Sequence, residues 1–235
     1  MSDKHLSTQF DAELSGISTR VLEMGGIVES QVARAVYALT NLSPEIASDV
    51  LMIEERVNQT EIEIDRDLST IIARRQPTAR DLRLLIAISK TIGNLERVGD
   101  EAARIARTVQ RLVNSGVSSR LRLPVKDLAY ESELAVSQLR KALDAFARLD
   151  VEKAIEVLKQ DDLIDQEFEG LMRKLITFMK EDPRTISSSI DLVFVAKAIE
   201  RVGDHAKNLA EQIIYIVKGT DVRHNTIDDV ESLVR

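Results

Sequence analysis

The chain has 235 residues, of which 44% are hydrophobic and 30% are charged, a composition typical of a globular protein. Its net charge of −7 argues against the basic surface that binding to a phosphate backbone requires, so we expect no direct nucleic-acid partner. The absence of cysteine excludes disulfides and thiolate metal sites. No apolar run approaches the roughly 20 residues of a membrane span. We therefore expect a cytoplasmic protein that is peripheral to a membrane only through its partners.

Aromatic residues make up only 3% of the chain, and tryptophan is absent. Strands favour aromatic and β-branched residues, so this composition favours helices packed through aliphatic side chains. The sequence therefore predicts an all-α fold with an aliphatic core.

The first predicted helix covers residues 7–41, where apolar residues recur at steps of three and four. Gly25 and Gly26 interrupt this pattern. Each glycine costs roughly 1 kcal/mol relative to alanine inside a helix. We therefore expect either a kink or a close helix crossing at this point.

Two further helices complete the first half of the chain, at residues 44–75 and 78–114. Ser43 precedes the first of them as an N-cap, followed by a proline at the first helical position. Thr78 is the expected N-cap of the second, with Asp81 in the position of a capping box.

The second half repeats this scheme, with helices predicted at residues 125–149, 151–181 and 186–218. Asp150 is the expected N-cap of the middle helix, and Gly219 is the expected C-cap of the last one.

A run rich in serine and glycine near the midpoint predicts a linker between the two halves. We divide the chain into a first three-helix bundle (1–114), a linker (115–124), a second three-helix bundle (125–219) and a C-terminal tail (220–235). Residues 226–233 of the tail are expected to add one or two helical turns.

An internal repeat relates the two halves. The pentapeptide Glu-Arg-Val-Gly-Asp at residues 96–100 returns at 200–204, and residues 54–59 align with 161–166. The period is too long for a solenoid unit. The repeat therefore predicts two pseudo-symmetric antiparallel three-helix bundles.

Each half carries paired acidic or amide side chains spaced four residues apart, which places both members of a pair on one face of a helix. Two such pairs facing each other across neighbouring helices would surround one point with oxygen atoms. Hard cations such as Mg²⁺, Mn²⁺ and iron use sites of this kind, and zinc is a further candidate. The alternative is ordinary surface acids that pair with Arg97 or Arg201. The candidate ligands are Glu54, Asn58, Glu96, Asp100, Asp161, Asp165, Glu200 and Asp204.

Two other features have more than one interpretation. The arginine-rich segment 74–83 surrounds a helix N-terminus and is suited either to holding an anion or to pairing with nearby acids. His205 follows Asp204 directly, and we expect it to make a surface or an interhelical contact rather than to bind metal. The sequence has no serine or cysteine nucleophile arrangement and no phosphate-binding loop.

Several of these motifs together resemble the PhoU family of bacterial phosphate-signalling regulators. They are Arg-Gln-Pro-Thr-Ala at 75–79 followed by Asp-Leu-Arg at 81–83, the two pentapeptides, Met-Gly-Gly at 24–26, and Asp-Ala-Phe-Ala-Arg at 144–148. The resemblance extends from about residue 6 to residue 224.

The resemblance implies two three-helix bundles, frequently a homodimer, and acidic motifs that bind metal ions or clusters. The family's acidic motif matches Glu96, Asp100, Glu200 and Asp204, and its second-helix form matches residues 161 and 165. Asn58 departs from the acidic pattern, so the first-half site is expected to carry less charge than the second.

For function, the resemblance implies a negative regulator of the phosphate regulon and of phosphate uptake. Such a protein would be a non-enzymatic adaptor between the ATPase of the phosphate ABC transporter and a sensor histidine kinase. Arg148 and Ala147, near the turn between the fourth and fifth helices, are candidate partner contacts. The alternatives are a metal-dependent phosphoester hydrolase that uses the same carboxylates and a purely structural helical scaffold.

Overall fold

The structure is a computed structural model that describes residues 8–115 and 125–234. Its helices form two antiparallel three-helix bundles followed by a short C-terminal helix, and no strand occurs within these residues. The prediction of an all-α fold built from two three-helix bundles is confirmed. The helices are α1 (Thr8–Asn41), α2 (Pro44–Arg75), α3 (Ala79–Asn114), α4 (Val125–Arg148), α5 (Val151–Glu181), α6 (Ile186–Lys218) and α7 (Ile227–Val234).

The two halves use the same turn between their first and second helices. Leu42 and Leu149 both adopt positive φ, at 49° and 50°. The next residue caps the following helix: the Ser43 hydroxyl accepts a hydrogen bond from the amide of Ile46, and the Asp150 carboxylate accepts one from Lys153. The predicted caps of α2 and α5 are therefore confirmed, and the repeat extends to backbone conformation.

The start of α3 differs from the prediction. The Thr78 side chain makes no capping hydrogen bond, and the amide of Asp81 donates instead to the Thr78 carbonyl oxygen, over 3.2 Å. Gln76 and Ala79 both have positive φ, at 48° and 49°, so the chain enters the helix through backbone conformation rather than through a hydroxyl cap.

The C-terminal ends of the predicted elements agree with the structure. Gly219 ends α6 with φ of 77°, as expected for a left-handed C-cap. The tail forms α7, whose Val230 is 2% exposed and whose Glu231 forms an ion pair with Lys159 of α5. The predicted linker lies almost wholly outside the described residues, since 116–124 are not described. The domain boundaries drawn from it stay a prediction.

α3 and α6 form the centre of the molecule and pack antiparallel against each other. Arg111 bonds Asp191 over 3.2 Å near one end, and Arg201 bonds Glu101 over 2.8 Å in the middle. These are the two helices that carry the repeated pentapeptides, so the fold brings the repeats together at the interface between the bundles.

The core is aliphatic, as the composition predicted, and one continuous cluster extends through both halves. α1 continues without a break past Gly25 and Gly26. A Cβ atom at Gly25 would overlap Leu143 of α4, whereas a Cβ atom at Gly26 would have open space around it. Of the two expectations for this pair, the structure shows a close helix crossing, and it occurs between the bundles.

Candidate acidic sites at the helix seams

The first-half acidic site lies between α2 and α3. Glu54 of α2 is only 5% exposed, and its Oε2 accepts a 2.7 Å hydrogen bond from the Gln31 side chain of α1. Glu96 is half-buried and Asp100 is exposed, one turn apart on α3. The interface between α2 and α3 therefore carries carboxylates from both helices, and one of them, Glu54, accepts a hydrogen bond from the Gln31 amide of α1.

Electrostatic coupling shows that these carboxyl groups are neighbours. Burial raises the pKa of Glu54 above its ordinary value, the Gln31 hydrogen bond opposes this, and Asp100 raises it further. Burial likewise raises the pKa of Glu96, with added repulsion from Asp100, Glu61 and Glu54. A cation placed among them would relieve this repulsion.

Glycines permit the close helix approach that builds both sites. A Cβ at Gly99 would lie 2.7 Å from Glu54 Oε2 and 3.1 Å from Gln31 Oε1. In the second half, a Cβ at Gly203 would lie 2.9 Å from Ile164 and 3.0 Å from the Gln138 oxygen. Gly99 and Gly203 therefore let the neighbouring helices approach the carboxylate pairs closely.

Replacing Gly99 by alanine is expected to lower the free energy of unfolding by about 1–2 kcal/mol. Overpacking costs roughly 1–3 kcal/mol, which the better helix propensity of alanine offsets by up to about 1 kcal/mol. Gly170 is the matched control, because it also lies inside a helix and has open space around it. Gly170→Ala is expected to stabilise slightly. Denaturant unfolding of the two variants compares them, and equal stabilities would contradict the tight seam at Gly99.

The second-half acidic site lies between α5 and α6, and two lysines already bond it. Lys207 donates to Asp161 over 2.6 Å, and Lys197 donates to Glu200 over 2.6 Å. Burial and repulsion from Glu200 and Asp161 nevertheless raise the pKa of Asp204 to about 6. This site therefore combines carboxylates that repel each other with internal counterions.

Asp165, the fourth predicted member of the second site, is exposed. Its carboxyl group is nevertheless partly shielded from solvent, which raises its pKa, as do the charges of Asp161 and Glu200. All four predicted carboxylates of the second half therefore interact electrostatically.

Among the described residues, the first-half site has no equivalent ammonium groups, and it gains a carboxylate that the sequence did not predict. Gly93 and Ala103 stand where α6 has Lys197 and Lys207. The Glu61 Oε1 would lie 3.7 Å from a Cβ at Gly93, and Glu61 raises the pKa of Glu96. Glu61 therefore adds a carboxylate to the first site beside the neutral Asn58, and the expectation that this site carries less negative charge than the second stays a prediction.

Oxygen atoms make up the whole donor set of both sites, which suits a hard cation better than zinc. One buried side-chain oxygen each of Glu54, Asn58 and Glu200 has no hydrogen-bond partner within the part of the chain that the structure describes, as expected of groups available to another ligand. Across residues 8–115 and 125–234, no three His, Cys, Asp or Glu side chains are arranged to hold a metal ion as they stand. Coordination would therefore require side-chain rotation, and metal binding stays a prediction.

A second buried carboxyl group also escaped the sequence analysis. Glu131 of α4 is 1% exposed, and neither of its carboxyl oxygens has a hydrogen-bond partner among residues 8–115 and 125–234. Burial, with repulsion from Glu200 and Glu167, raises its pKa to about 8. The equivalent residue of the first half is the apolar Met24. Aligning the two repeats at this position would have indicated that Glu131 occupies a buried site.

The remaining candidates have ordinary partners. Arg75, from the basic segment 74–83, forms a two-point ion pair with Glu13 over 2.8 and 2.5 Å, so pairing with a nearby acid is the correct interpretation for this arginine. His205 makes the predicted interhelical contact, with Nδ1 3.0 Å from Asn94 Oδ1. Ala147 and Arg148 are both exposed, and Arg148 bonds Asp144 over 2.9 Å.

Fold and site together define a class of protein: a twice-repeated three-helix bundle with a carboxylate group at a glycine-lined seam in each half. The PhoU domain family matches residues 21–109 and 130–213, one match in each half. The chain belongs to the PhoU family.

Relatives and solved structures agree with this assignment. A Burkholderia protein named phosphate-specific transport system accessory protein PhoU homolog is 50% identical, over 95% of each chain. The Escherichia coli K12 protein named phosphate-specific transport system accessory protein PhoU is 43% identical, over 99% of this chain and 95% of its own. The crystal structure of PhoU from Pseudomonas aeruginosa superimposes with a TM-score of 0.83 at 43% identity, covering 90% of this chain and all of that one.

Proposed function

We propose that this protein is a cytoplasmic, non-enzymatic adaptor that represses the phosphate-starvation response and limits phosphate uptake. Its partners would be the ATPase of the phosphate ABC transporter and a sensor histidine kinase. The observation that carries the proposal is 50% identity, across 95% of each chain, to a relative named as an accessory protein of phosphate-specific transport. No helix in the described residues is long and apolar enough to cross a membrane.

The acidic sites would bind metal as part of this role. Glu54, Glu61, Glu96 and Asp100 would hold a hard cation in the first half, with Asn58 as a neutral ligand. Asp161, Asp165, Glu200 and Asp204 would do so in the second half, after Lys197 and Lys207 release their partners. The ion would draw α2 to α3, and α5 to α6, by neutralising carboxylates that otherwise repel each other. A homodimer would give the assembly two copies of each site.

Deleting the gene tests the regulatory proposal. We expect the deletion to derepress phosphate-scavenging genes in phosphate-rich medium, and a plasmid copy of the wild-type gene to restore repression. Unchanged reporter expression in the deletion strain would contradict the proposal. The hydrolase alternative is tested separately, by looking for phosphoester turnover with Mn²⁺ or Mg²⁺ that disappears in Asp204→Ala.

The turn between α4 and α5 is a candidate contact for one of these partners. Arg148→Glu is expected to weaken partner binding by at least about tenfold, as expected when a charge at an interface is reversed. Thermal stability should change little, because Arg148 is 66% exposed and Lys153 still bonds Asp144. Pull-down with the purified kinase and ATPase measures the effect.

Arg173→Glu is the matched control for this prediction. Arg173 is 72% exposed and forms the same kind of pair, four residues from Glu169 on α5. Equal binding by the Arg148 and Arg173 variants would remove this turn from the interface.

A further inference from the structure

An open polar cleft lies where α3 passes α6 and the segment that follows α6. Its volume is about 360 Å³, and three cationic side chains, Lys90, Arg97 and Arg223, line it. None of these three side chains forms a hydrogen bond with the carboxylates of the two acidic sites, whose hydrogen bonds come from Gln31, Lys197 and Lys207.

Among the described residues, Arg97 has no hydrogen-bonded partner, because the repeat differs at the position opposite it. Its counterpart Arg201 bonds the buried carboxylate of Glu101 over 2.8 Å. By the same internal symmetry, the residue equivalent to Glu101 and facing Arg97 is His205. Arg97 therefore makes no hydrogen bond or ion pair with any described residue, and attracts Glu61 and Glu96 only at longer range.

His205 supplies no carboxylate to Arg97. Its Nδ1 lies 3.0 Å from Asn94 Oδ1. The same Asn94 oxygen accepts a 3.0 Å hydrogen bond from Asn208, so the histidine donates through Nδ1 and the amides at the cleft wall are held in place.

The other two cations are held in position by different contacts. The Lys90 ammonium lies 5.6 Å from the centre of the Tyr215 ring and makes no hydrogen bond to a carboxylate in the described chain. Arg223 is fixed by the adjacent Asp221 carboxylate through Nε and Nη2. Lys90 and Arg97, which have no hydrogen-bonded carboxylate in the described chain, thus line the cleft together with Arg223, which Asp221 holds in place.

The polarity of the cleft is not a requirement of the fold. Lys90, Asn94 and the hydroxyl of Ser89 are replaced in the repeat by Phe194, Ala198 and Val193. A helix of the same shape packs in the same way with apolar residues at these positions, so the polar set in the first half needs another explanation. Gln212 of α6 also lines the cleft and is 4% exposed.

We propose that this cleft binds a small oxyanion of the phosphate type, held by Arg97 and Lys90. A guanidinium group matches two phosphate oxygens in a fork, and an ammonium group supplies a point charge. The one carboxyl group that lines the cleft, Glu211, opposes the anion and limits its affinity. The inference is independent of metal binding and of the regulatory role, since it rests only on this cleft.

Titration of the full-length protein with inorganic phosphate, followed by amide chemical shifts in buffer containing EDTA, tests the proposal. The chelator removes any anion binding through a metal at the acidic seams. We expect saturable shifts confined to residues 89–97 and 208–212, with a Kd of about 1 mM or tighter. A phosphomonoester such as glycerol phosphate, titrated in parallel, shows whether the free ion or an esterified phosphoryl group binds better. Either preference supports the site.

Three variants and a control sharpen the test. Arg97→Gln is expected to weaken phosphate binding by about tenfold, the effect of losing a charge-assisted hydrogen bond. Glu211→Gln should strengthen binding, and His205→Glu should weaken it by giving Arg97 the carboxylate that Arg201 has. Arg107→Gln removes the same charge from an exposed position on α3 outside the cleft. Absence of saturable shifts, or equal weakening in the Arg97 and Arg107 variants, would overturn the proposal.

Discussion

Replacing Glu131 by methionine is expected to raise the free energy of unfolding at pH 8 by roughly 3–5 kcal/mol. Glu131 is fully buried without a hydrogen-bond partner, and the repeat places Met24 at the same position. The pKa of the carboxyl group is about 8 in the folded protein against an ordinary 4.5. Between these values the folded state binds more protons than the unfolded state, so stability falls as pH rises.

The stabilisation by methionine should therefore depend on pH. It is expected to be small below pH 4.5, where both states of the wild-type protein are protonated, and to grow up to pH 8. Denaturant unfolding of wild type and variant across this range, in the presence of a chelator, measures the difference. Glu133→Met is the control, because Glu133 lies on the same helix and is exposed. A Glu131→Met effect that does not change with pH would show that the folded protein does not hold this carboxyl group neutral.

Removing the Arg201 guanidinium is expected to destabilise the protein by about 2–3 kcal/mol, because it leaves the buried Glu101 carboxylate with one long contact. The Glu101 side chain is 5% exposed, and its other cation, Arg104, lies 3.4 Å away. Arg201→Met keeps the aliphatic stem and removes the charge. Adding Glu101→Gln to this variant should recover part of the loss.

A second ion pair between the bundles provides the comparison. Arg140 of α4 bonds Glu29 of α1 over 2.6 Å, but Arg140 is 68% exposed. Arg140→Met is therefore expected to cost no more than about 1 kcal/mol. Equal losses in the two arginine variants, measured by thermal or denaturant unfolding, would show that burial of Glu101 does not govern the strength of this contact.

The sequence predicted the helices well because their ends are marked by local chemistry. α2, α5 and α6 have the predicted bounds, and each is bordered by a proline, a capping side chain or a C-cap glycine. α3 begins after Thr78 as predicted, but the expected hydroxyl hydrogen bond is absent, and Gln76 and Ala79 beside it have positive φ. Such backbone conformations at Gln76 and Ala79 leave little trace in residue type.

The composition of the candidate sites was only partly predictable. The repeated pentapeptide identified Glu96, Asp100, Glu200 and Asp204, because their spacing alone places them on one face of a helix. Glu61 was missed because its equivalent in the repeat is Phe168, so the repeat gives no signal there.

The partners of the charged groups were not predictable, because they depend on the register between helices. Lys207 meets Asp161 across the α5–α6 seam, and Arg201 meets Glu101 across the α3–α6 interface. Sequence spacing fixes which residues share a face, but it does not say which residue of a neighbouring helix lies opposite. For the same reason, the unpaired state of Arg97 became visible only in three dimensions.

Metal content per chain is the measurement that most directly tests whether the repeated carboxylates hold cations. Elemental analysis would compare wild-type protein, purified without chelator, with Glu96→Ala/Asp100→Ala and Glu200→Ala/Asp204→Ala. We expect bound Mg, Mn or Fe in the wild type and loss of metal in both variants. The larger loss should occur in the first, because no lysine competes at that site. Metal-free wild-type protein, or full retention of metal in both variants, would contradict the assignment of these carboxylates as metal ligands.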